Sequence, residues 1–250
     1  MVDYFGRVGV MYGESGLRRL QDAHVVVVGY GAVGSFAAEA LVRTGVGHLR
    51  IVDADVYEAS NVNRQLGASS STVGRAKVAV GGERLRDIAP GMDLECVRSF
   101  VGEGTMEVVT GPFGDGRCPE VVIDAIDTIE SKVGLLLHLV RKGVVVWSSM
   151  GAARKTRPEL ICSGDISQTR VCPLAREVRK RLRLAGVERG VGCVYSTESV
   201  SPGTHTASAG TGVLGRPVLG SVVTVTGSFG LRLAAECLCG LLGEAVVGVE

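Results

Sequence analysis

The chain has 250 residues, of which 46% are hydrophobic and 21% charged, as is typical of a globular protein with one sizeable core. Its formal net charge of +1 excludes a strong overall attraction to DNA or to an acidic membrane, so any nucleic-acid contact must come from a local patch. The seven cysteines include no paired C-x-x-C motifs, which argues against a zinc tetrad, and their odd number argues against a disulfide framework. We therefore expect a reduced, cytoplasmic protein.

The first 150 residues are predicted to alternate buried strands with helices. The predicted strands are 24–28, 49–53, 94–98, 121–124 and 144–148, and the predicted helices are 32–44, 75–89 and 128–142. Strands that alternate with helices indicate crossover connections and a parallel sheet. The fold class is therefore α/β, with a Rossmann-like doubly wound, mostly parallel sheet.

The regular alternation ends near residue 150. The remaining predicted elements are an extended piece at 155–162, a basic helix at 174–184, a strand at 193–196, a Gly/Ser/Thr-rich loop at 199–216 and a helix at about 222–242. The apolar stretch before and within this last helix is too short to span a bilayer, which favours a buried helix. We expect one domain over 1–250, with a nucleotide-binding half at 1–150 and a substrate-side and dimer-side elaboration at 151–250.

A Gly-rich turn joins the first predicted strand to the first predicted helix. Gly29 permits the tight turn, Gly31 lets the backbone approach a phosphate, and Gly34 lets the helix lie close to the strand. The N-terminus of that helix presents unpaired N–H groups to an anion. Asp53 ends the next strand, where its carboxylate can accept hydrogen bonds from ribose hydroxyls. The turn by itself favours NAD or FAD over ATP.

Polar residues beyond the second strand change this preference to ATP. Asn61, Arg64 and Gln65 belong to an N-x-N-R-Q sequence that follows Asp55, and a guanidinium binds phosphate oxygens in a forked geometry. Lys77, near the start of the next helix, could reach the same phosphates. A solvated surface position is the alternative for each of these cations.

Two carboxylates follow the fourth predicted strand. Asp124 and Asp127 are expected to face the crevice at the carboxyl edge of the sheet, where Mg²⁺ could bridge from oxygen ligands to ATP. The alternative for Asp127 is a cap for the helix that follows. Because all these polar groups converge on one edge of one sheet, the combination predicts an ATP site with Mg²⁺.

The order of these motifs (G-x-G-x-x-G, D-x-D, N-x-N-R-Q, a helical Lys and D-x-x-D) resembles the ubiquitin-activating-type adenylyltransferases, the superfamily of ThiF and MoeB. The resemblance implies a homodimer in which an N-terminal Arg, here Arg7, reaches the active site of the partner subunit. It implies that Asp127 holds Mg²⁺. The residues that the resemblance and the motifs assign to ATP are Gly29, Gly31, Gly34, Asp53, Asp55, Asn61, Arg64, Gln65, Lys77 and Asp127.

The second half resembles the tRNA threonylcarbamoyladenosine dehydratases (the TcdA type), on the sequences at 165–169, 172–175 and 193–198. The resemblance implies a tRNA substrate whose threonylcarbamoyl carboxylate is adenylated and then closes a ring with loss of water. The basic helix supplies candidate tRNA contacts, for which a solvated helix face is the alternative. These candidates are Arg176, Arg179, Lys180 and Arg183.

The sequence is also compatible with other functions. Cys172 and Cys193 are candidate reactive thiols, for a thioester or for sulfur relay from a cysteine-desulfurase system, and simple burial is the alternative for each. The main alternative function is adenylation of the C-terminal glycine of a ubiquitin-like sulfur carrier. An NAD or flavin oxidoreductase would leave Arg64 and Lys77 without a role, and a non-catalytic scaffold would leave the whole polar set without one. A peripheral contact with the inner membrane is also left open.

Overall fold

The structure is a computed structural model that describes residues 3–199 and 219–243. The loop predicted at 199–216 lies, apart from its first residue, outside the described residues. Seven strands form one sheet in the order β3-β2-β1-β4-β5-β7-β6. The strands are β1 (His24–Val28), β2 (His48–Val52), β3 (Asp93–Val97), β4 (Val121–Asp124), β5 (Val145–Ser149), β6 (Ile161–Asp165) and β7 (Gly192–Ser196).

The sheet is parallel except at one edge. β3, β2, β1, β4, β5 and β7 run in the same direction, and β6 pairs antiparallel with β7, with Ile161 opposite Ser196. The α/β doubly wound class predicted from the sequence is thus confirmed. β6 is the part that the crossover pattern did not reveal, because only an extended piece ending at residue 162 was expected there.

Helices cover both faces of the sheet. They are α1 (Gly6–Gln21), α2 (Gly34–Arg43), α3 (Lys77–Ile88), α4 (Met106–Thr110), α5 (Ile129–Lys142), α6 (Pro173–Leu184) and α7 (Val223–Leu242). The side chains of β1 alternate between the two resulting cores. Val25 and Val27 pack with α2, α3 and α7, whereas Val26 and Val28 pack with α4, α5 and α6. This alternation is the two-residue period of a strand that is buried on both faces.

The predicted helices and parallel strands agree with the structure to within two residues at each end. α1 and α4 were not predicted. Gly13 interrupts α1 with a φ of 72°, and Val10 and Met11 are exposed. The other face of α1 packs on the core through Val8, Tyr12 and Leu20 and contacts α7, and this tertiary contact stabilises the helix.

The last helix is buried against the sheet. α7 is the one helix in the described ranges that is long and apolar enough to cross a membrane, but 61% of its most apolar window is buried inside the fold. Its glycines allow α2 to approach closely: a Cβ at Gly230 would lie 2.4 Å from the Val33 carbonyl oxygen and 2.8 Å from Phe36 Cβ. α7 therefore acts as a core helix that supports the first turn of α2.

We predict that Gly230→Ala destabilises the fold, because the added methyl group meets a backbone carbonyl that cannot move without shifting α2. The expected loss is about 1–3 kcal/mol in the free energy of unfolding, measured by urea denaturation. The matched control is Gly134→Ala in α5, where a Cβ would lie 3.5 Å from the flexible end of Met106. That change should be neutral or stabilising by up to about 1 kcal/mol, and equal losses for both variants would contradict the prediction.

Candidate active site

The site lies where the order of the strands reverses. The chain runs outward from β1 through β2 to β3 and then returns to the other side of β1 at β4, and such switch points leave a crevice at the carboxyl ends of the strands. A cavity of about 650 Å³ opens there. Its walls come from the turns after β1, β2, β3, β4 and β5, and from the start of α6.

The Gly-rich turn forms one wall of the cavity. Gly29 has a φ of +90°, and a Cβ at this position would lie 2.7 Å from the carbonyl oxygen of Ala125. A Cβ at Gly34 would lie 1.8 Å from the carbonyl oxygen of Gly29, so this glycine allows α2 to pack on β1 without lining the cavity itself. Gly31 does line the cavity, and its nearest neighbour in the Cβ direction is 3.9 Å away. The turn thus brings the N-terminus of α2 to the cavity with room for a ligand.

The residues after β2 hold a buried ammonium group at the cavity. Asp53 accepts hydrogen bonds from the backbone N–H groups of Tyr30 at 2.7 Å and Asp55 at 2.8 Å. Lys77 Nζ lies 2.8 Å from Asp55 Oδ2 and 3.8 Å from Asp53 Oδ1. Lys77 is buried and stands at the start of α3, so the two carboxylates compensate a cation that faces the cavity.

In the N-x-N-R-Q segment, one residue caps a short helix and others line the cavity. Asn61 Oδ1 accepts a hydrogen bond from the Glu58 N–H at 3.1 Å, and Asn61 is not among the residues that line the cavity. Its side chain caps the short helix Ala59–Asn61, and the phosphate contact predicted for it stays a prediction. Arg64 lines the cavity, and its Nη1 donates to the Ser60 carbonyl and to Asn63 Oδ1, both at 2.8 Å.

Gln65 provides a polar atom that lacks a partner. Its side chain is buried at the cavity, and its Oε1 has no hydrogen-bond partner in the described residues. A buried acceptor without a donor is costly. A hydroxyl or N–H group of a bound ligand would satisfy it, so this atom fits a nucleotide site.

The two aspartates after β4 have different environments. Asp127 is exposed and lines the cavity, and its Oδ1 lies 3.5 Å from the Thr128 hydroxyl. Its oxygens are therefore accessible to a cation. Asp124 is fully buried, which corrects the expectation that it faces the crevice. Its Oδ2 accepts hydrogen bonds from Lys132 Nζ and from Ser148 Oγ, each at 2.6 Å.

Lys132 was not singled out in the sequence. It lies in the second turn of α5 and is fully buried, and its Nζ also donates to Ser148 Oγ at 3.1 Å and to the Ser149 carbonyl at 3.0 Å. The second Asp124 oxygen accepts from the Ile126 N–H at 3.0 Å. One ammonium thus joins α5 to the ends of β4 and β5, beside the turn that carries Asp127.

Comparisons with known proteins agree with this geometry. Residues 7–248 match the ThiF family. The chain belongs to the ThiF family. The tRNA threonylcarbamoyladenosine dehydratase of Bacillus subtilis is 42% identical over 199 residues, which cover 80% of this chain and 76% of the relative. The dehydratase of the same name from Escherichia coli is 35% identical over 96% of this chain and 94% of its own length.

A solved structure supports the same assignment. The E. coli tRNA N6-threonylcarbamoyladenosine dehydratase TcdA in complex with ATP superimposes with a TM-score of 0.83, at 33% identity. The match covers 96% of the ThiF-family chain and 94% of TcdA. The resemblance inferred from the motifs of both halves is thus confirmed.

The two cysteines that were predicted as candidate reactive thiols in this ThiF-family chain differ in their access to the cavity. Cys172 is buried and lines the cavity, and its Sγ accepts from the Gly151 N–H at 3.4 Å. Cys193 is fully buried in β7 and does not line the cavity. Burial raises the pKa of the Cys193 thiol well above its ordinary value, a shift that the nearby Lys132 only partly offsets. Cys193 therefore does not have the low pKa of a reactive thiol.

The basic helix α6 begins at the cavity and is exposed along one face. Arg176, Lys180 and Arg183 are exposed and form no ion pair in the described part of the chain. Arg179 differs, because its Nη1 donates to the carbonyl and hydroxyl oxygens of Thr169, both at 2.6 Å. Its guanidinium fixes the turn before α6, and the tRNA contact predicted for it stays a prediction. Arg7 is exposed on α1 and does not line the cavity of its own subunit.

Three more residues that line the cavity were not predicted to belong to the ATP site. Phe100 follows β3 and is 62% exposed, and Arg154 and Lys155 lie in the segment after β5. Both segments follow the carboxyl ends of parallel strands, and this position is the signal that could have identified them.

We predict that Lys132→Met strongly destabilises the chain, because it leaves the Asp124 carboxylate buried without its cation. The expected loss is about 3–5 kcal/mol in the free energy of unfolding, measured by urea denaturation. The control is Lys142→Met on the same helix, where the ammonium is exposed and pairs with Glu107. This change should cost no more than about 1 kcal/mol, and a similarly small cost at Lys132 would show that the buried pair is not needed for stability.

Proposed function

We propose that this ThiF-family chain uses ATP to adenylate the threonylcarbamoyl carboxylate of modified adenosine in tRNA, and then releases AMP in a cyclising dehydration. The observation that carries the proposal is the cavity at the strand switch point. The N-terminus of α2, Arg64, Lys77 and Asp127 all meet there. Relatives that match 80% and 96% of the chain are named tRNA threonylcarbamoyladenosine dehydratase.

The cavity fits a nucleoside triphosphate. The α2 N-terminus, Arg64 and Lys77 offer the positive groups that phosphates require. Asp53 and the unpartnered Gln65 Oε1 offer acceptors for ribose hydroxyls. An apolar wall suits the flat adenine ring, and it consists of Val101, Ile126 and Ile129.

Mg²⁺ is part of the proposal. The accessible carboxylate of Asp127 would hold it, and Asp127 is the kind of oxygen ligand that Mg²⁺ prefers. When bound, the ion would neutralise charge on the phosphates. Lys77 and Arg64 supply fixed positive charge on the same side of the cavity, and their positions are set in advance by Asp55 and by the Ser60 carbonyl.

The proposed reaction has two chemical steps. A carboxylate oxygen of the substrate attacks the α-phosphorus of ATP, which forms an acyl-adenylate and breaks the bond to pyrophosphate. A nucleophilic atom of the same modification then attacks the activated carbonyl, loses its proton and expels AMP. The net change in the nucleoside is the loss of one water. Because the second nucleophile is already tethered, positioning is sufficient and no thioester with Cys172 or Cys193 is required.

The proposal includes tRNA and a second copy of the chain. Arg176, Lys180 and Arg183 have the 3.6-residue spacing of one helix face, and α6 is about 18 Å long, so this face could follow a phosphate backbone that leads to the cavity. Arg7 lies beside the exposed apolar Met11, which supports a homodimer in which Arg7 serves the partner's site. A cytoplasmic location is consistent with tRNA as substrate, and no described feature supports a contact with the inner membrane.

The alternative of sulfur-carrier adenylation uses the same ATP site and differs in the acyl group. A sulfur-relay partner would need a reachable thiol. Of the two candidate thiols, only Cys172 borders the cavity. The relatives that match 80% and 96% of the chain are named for the tRNA modification, which favours the tRNA substrate, and the assay that follows distinguishes the two substrates.

The decisive assay is incubation of the purified chain with ATP, Mg²⁺ and threonylcarbamoylated tRNA, followed by mass measurement of the nucleosides. We expect the loss of one water from the modified nucleoside, with one AMP released. Lys77→Ala and Asp127→Ala should each lower the rate by at least about 100-fold, because each removes charge stabilisation from the phosphates.

Lys142→Ala, which removes an exposed ammonium at the C-terminal end of α5, is the control and should retain full activity. AMP release without a mass change in the nucleoside would argue against the proposal. Pyrophosphate exchange stimulated by a carrier protein with a C-terminal Gly-Gly, and not by modified tRNA, would favour the alternative.

The tRNA surface makes a separate prediction. The double variant Arg176→Glu/Arg183→Glu should weaken tRNA binding and reduce the slope of log K against log salt by roughly 1–2, because up to two phosphate contacts are lost. The control is Arg141→Glu, an exposed residue at the C-terminal end of α5, which should leave the slope unchanged. A wild-type slope for the α6 variant would exclude this face of α6 as the tRNA contact.

A further inference from the structure

Two residues near the cavity adopt a backbone conformation that side chains disfavour. Arg154 has a φ of 61° and Val171 a φ of 66°, and they are the non-glycine residues with positive φ in the described ranges. Arg154 lines the cavity, and Val171 directly precedes Cys172, which also lines it. The Arg154 N–H donates to the Gly220 carbonyl at 2.8 Å, which helps to fix the backbone there. Such conformations persist where the surrounding structure imposes them, and they concentrate at functional sites.

The two sides of the cavity differ in the sign of the charged side chains that line them. The wall from the first half contains Asp53, Asp55 and Asp127 beside its cations. The wall from the second half contains Arg154 and Lys155 and no carboxylate among its described residues. The buried Lys155 Nζ donates to the Glu198 carbonyl at 2.9 Å. The Arg154 guanidinium forms no hydrogen bond or ion pair within residues 3–199 and 219–243, so its donors are available to a ligand.

We propose that Arg154 binds the reacting carboxylate of the substrate. This inference rests on the proposed function, in which a carboxylate must approach the α-phosphate of ATP. Two anions repel each other strongly in a partly enclosed cavity, where the effective dielectric constant is low. A guanidinium on the wall opposite the phosphate-binding residues can hold a carboxylate through two parallel hydrogen bonds, and so offsets that repulsion.

The left-handed backbone at position 154 allows a sharp test. Arg154→Gly removes the guanidinium and relieves the unfavourable conformation, so a purely structural role predicts that this variant is at least as stable and fully active. Our proposal predicts that it keeps its thermal stability and its affinity for ATP. Its KM for threonylcarbamoylated tRNA should rise, or its kcat fall, by roughly tenfold to a hundredfold.

Two further variants complete the experiment. Arg154→Lys keeps a positive charge and should retain more activity than Arg154→Gly. Arg117→Gly removes an exposed loop arginine near the start of β4, at the opposite edge of the sheet from the cavity, and should leave both kinetic constants as in the wild type.

Binding measurements with unmodified tRNA identify the anion. A carboxylate ligand predicts that Arg154→Gly binds unmodified tRNA as tightly as the wild type does. An equal loss of affinity for modified and unmodified tRNA would overturn the assignment in favour of a backbone phosphate. Wild-type kinetics for Arg154→Gly would overturn the inference while leaving the proposed function intact. A wild-type protein that fails to dehydrate modified tRNA would overturn both.

Discussion

The ion pair between Lys132 and Asp124 is the interaction on which the site depends. Both side chains are fully buried, and isolated buried charges are costly, so each residue needs the other. Their hydrogen bonds reach Ser148, the Ser149 carbonyl and the Ile126 N–H. The pair therefore connects α5, the end of β4 and the end of β5 at the one place where the turns of these elements form the cavity. Asp127 belongs to the turn that this pair fixes, and the segment containing Arg154 follows the strand end that it holds.

The other cations of the cavity are also held in place by carboxylate or carbonyl oxygens. Lys77 is buried beside Asp53 and Asp55, and Arg64 is held by a backbone carbonyl and an amide oxygen. Their positions are fixed before any ligand binds, so a triphosphate meets an organised set of cations, and little reorganisation is needed during the reaction. The described residues of the second-half wall add cations and no carboxylates, which suits a second anionic group that must approach the first.

The sequence predicted the structure correctly where a local pattern has one structural outcome. Runs such as His24–Val28 can be buried on both faces only in the interior of a sheet, and helices follow these strands at regular intervals, so the parallel sheet and the position of the Gly-rich turn were predictable. The sequence does not decide the position of a polar residue that has several local uses. Asn61 caps a short helix, Asp124 pairs with a buried lysine, and Arg179 donates hydrogen bonds to Thr169. All three are residue types that are also expected at ligand-binding positions.

The sequence by itself thus determined the fold class, the ATP-type motif set and the family, because these depend on residue types at short, fixed spacings. Only the tertiary structure decided which of the polar side chains reach the cavity. It also identified Lys132 as the buried partner of Asp124, and placed Arg154 in a left-handed conformation on the opposite wall. The physical reason is that burial, pairing and backbone strain depend on what residues distant in the chain bring to the same place. A side chain that is polar in the sequence becomes a ligand, a cap or a core ion pair only after those neighbours are known.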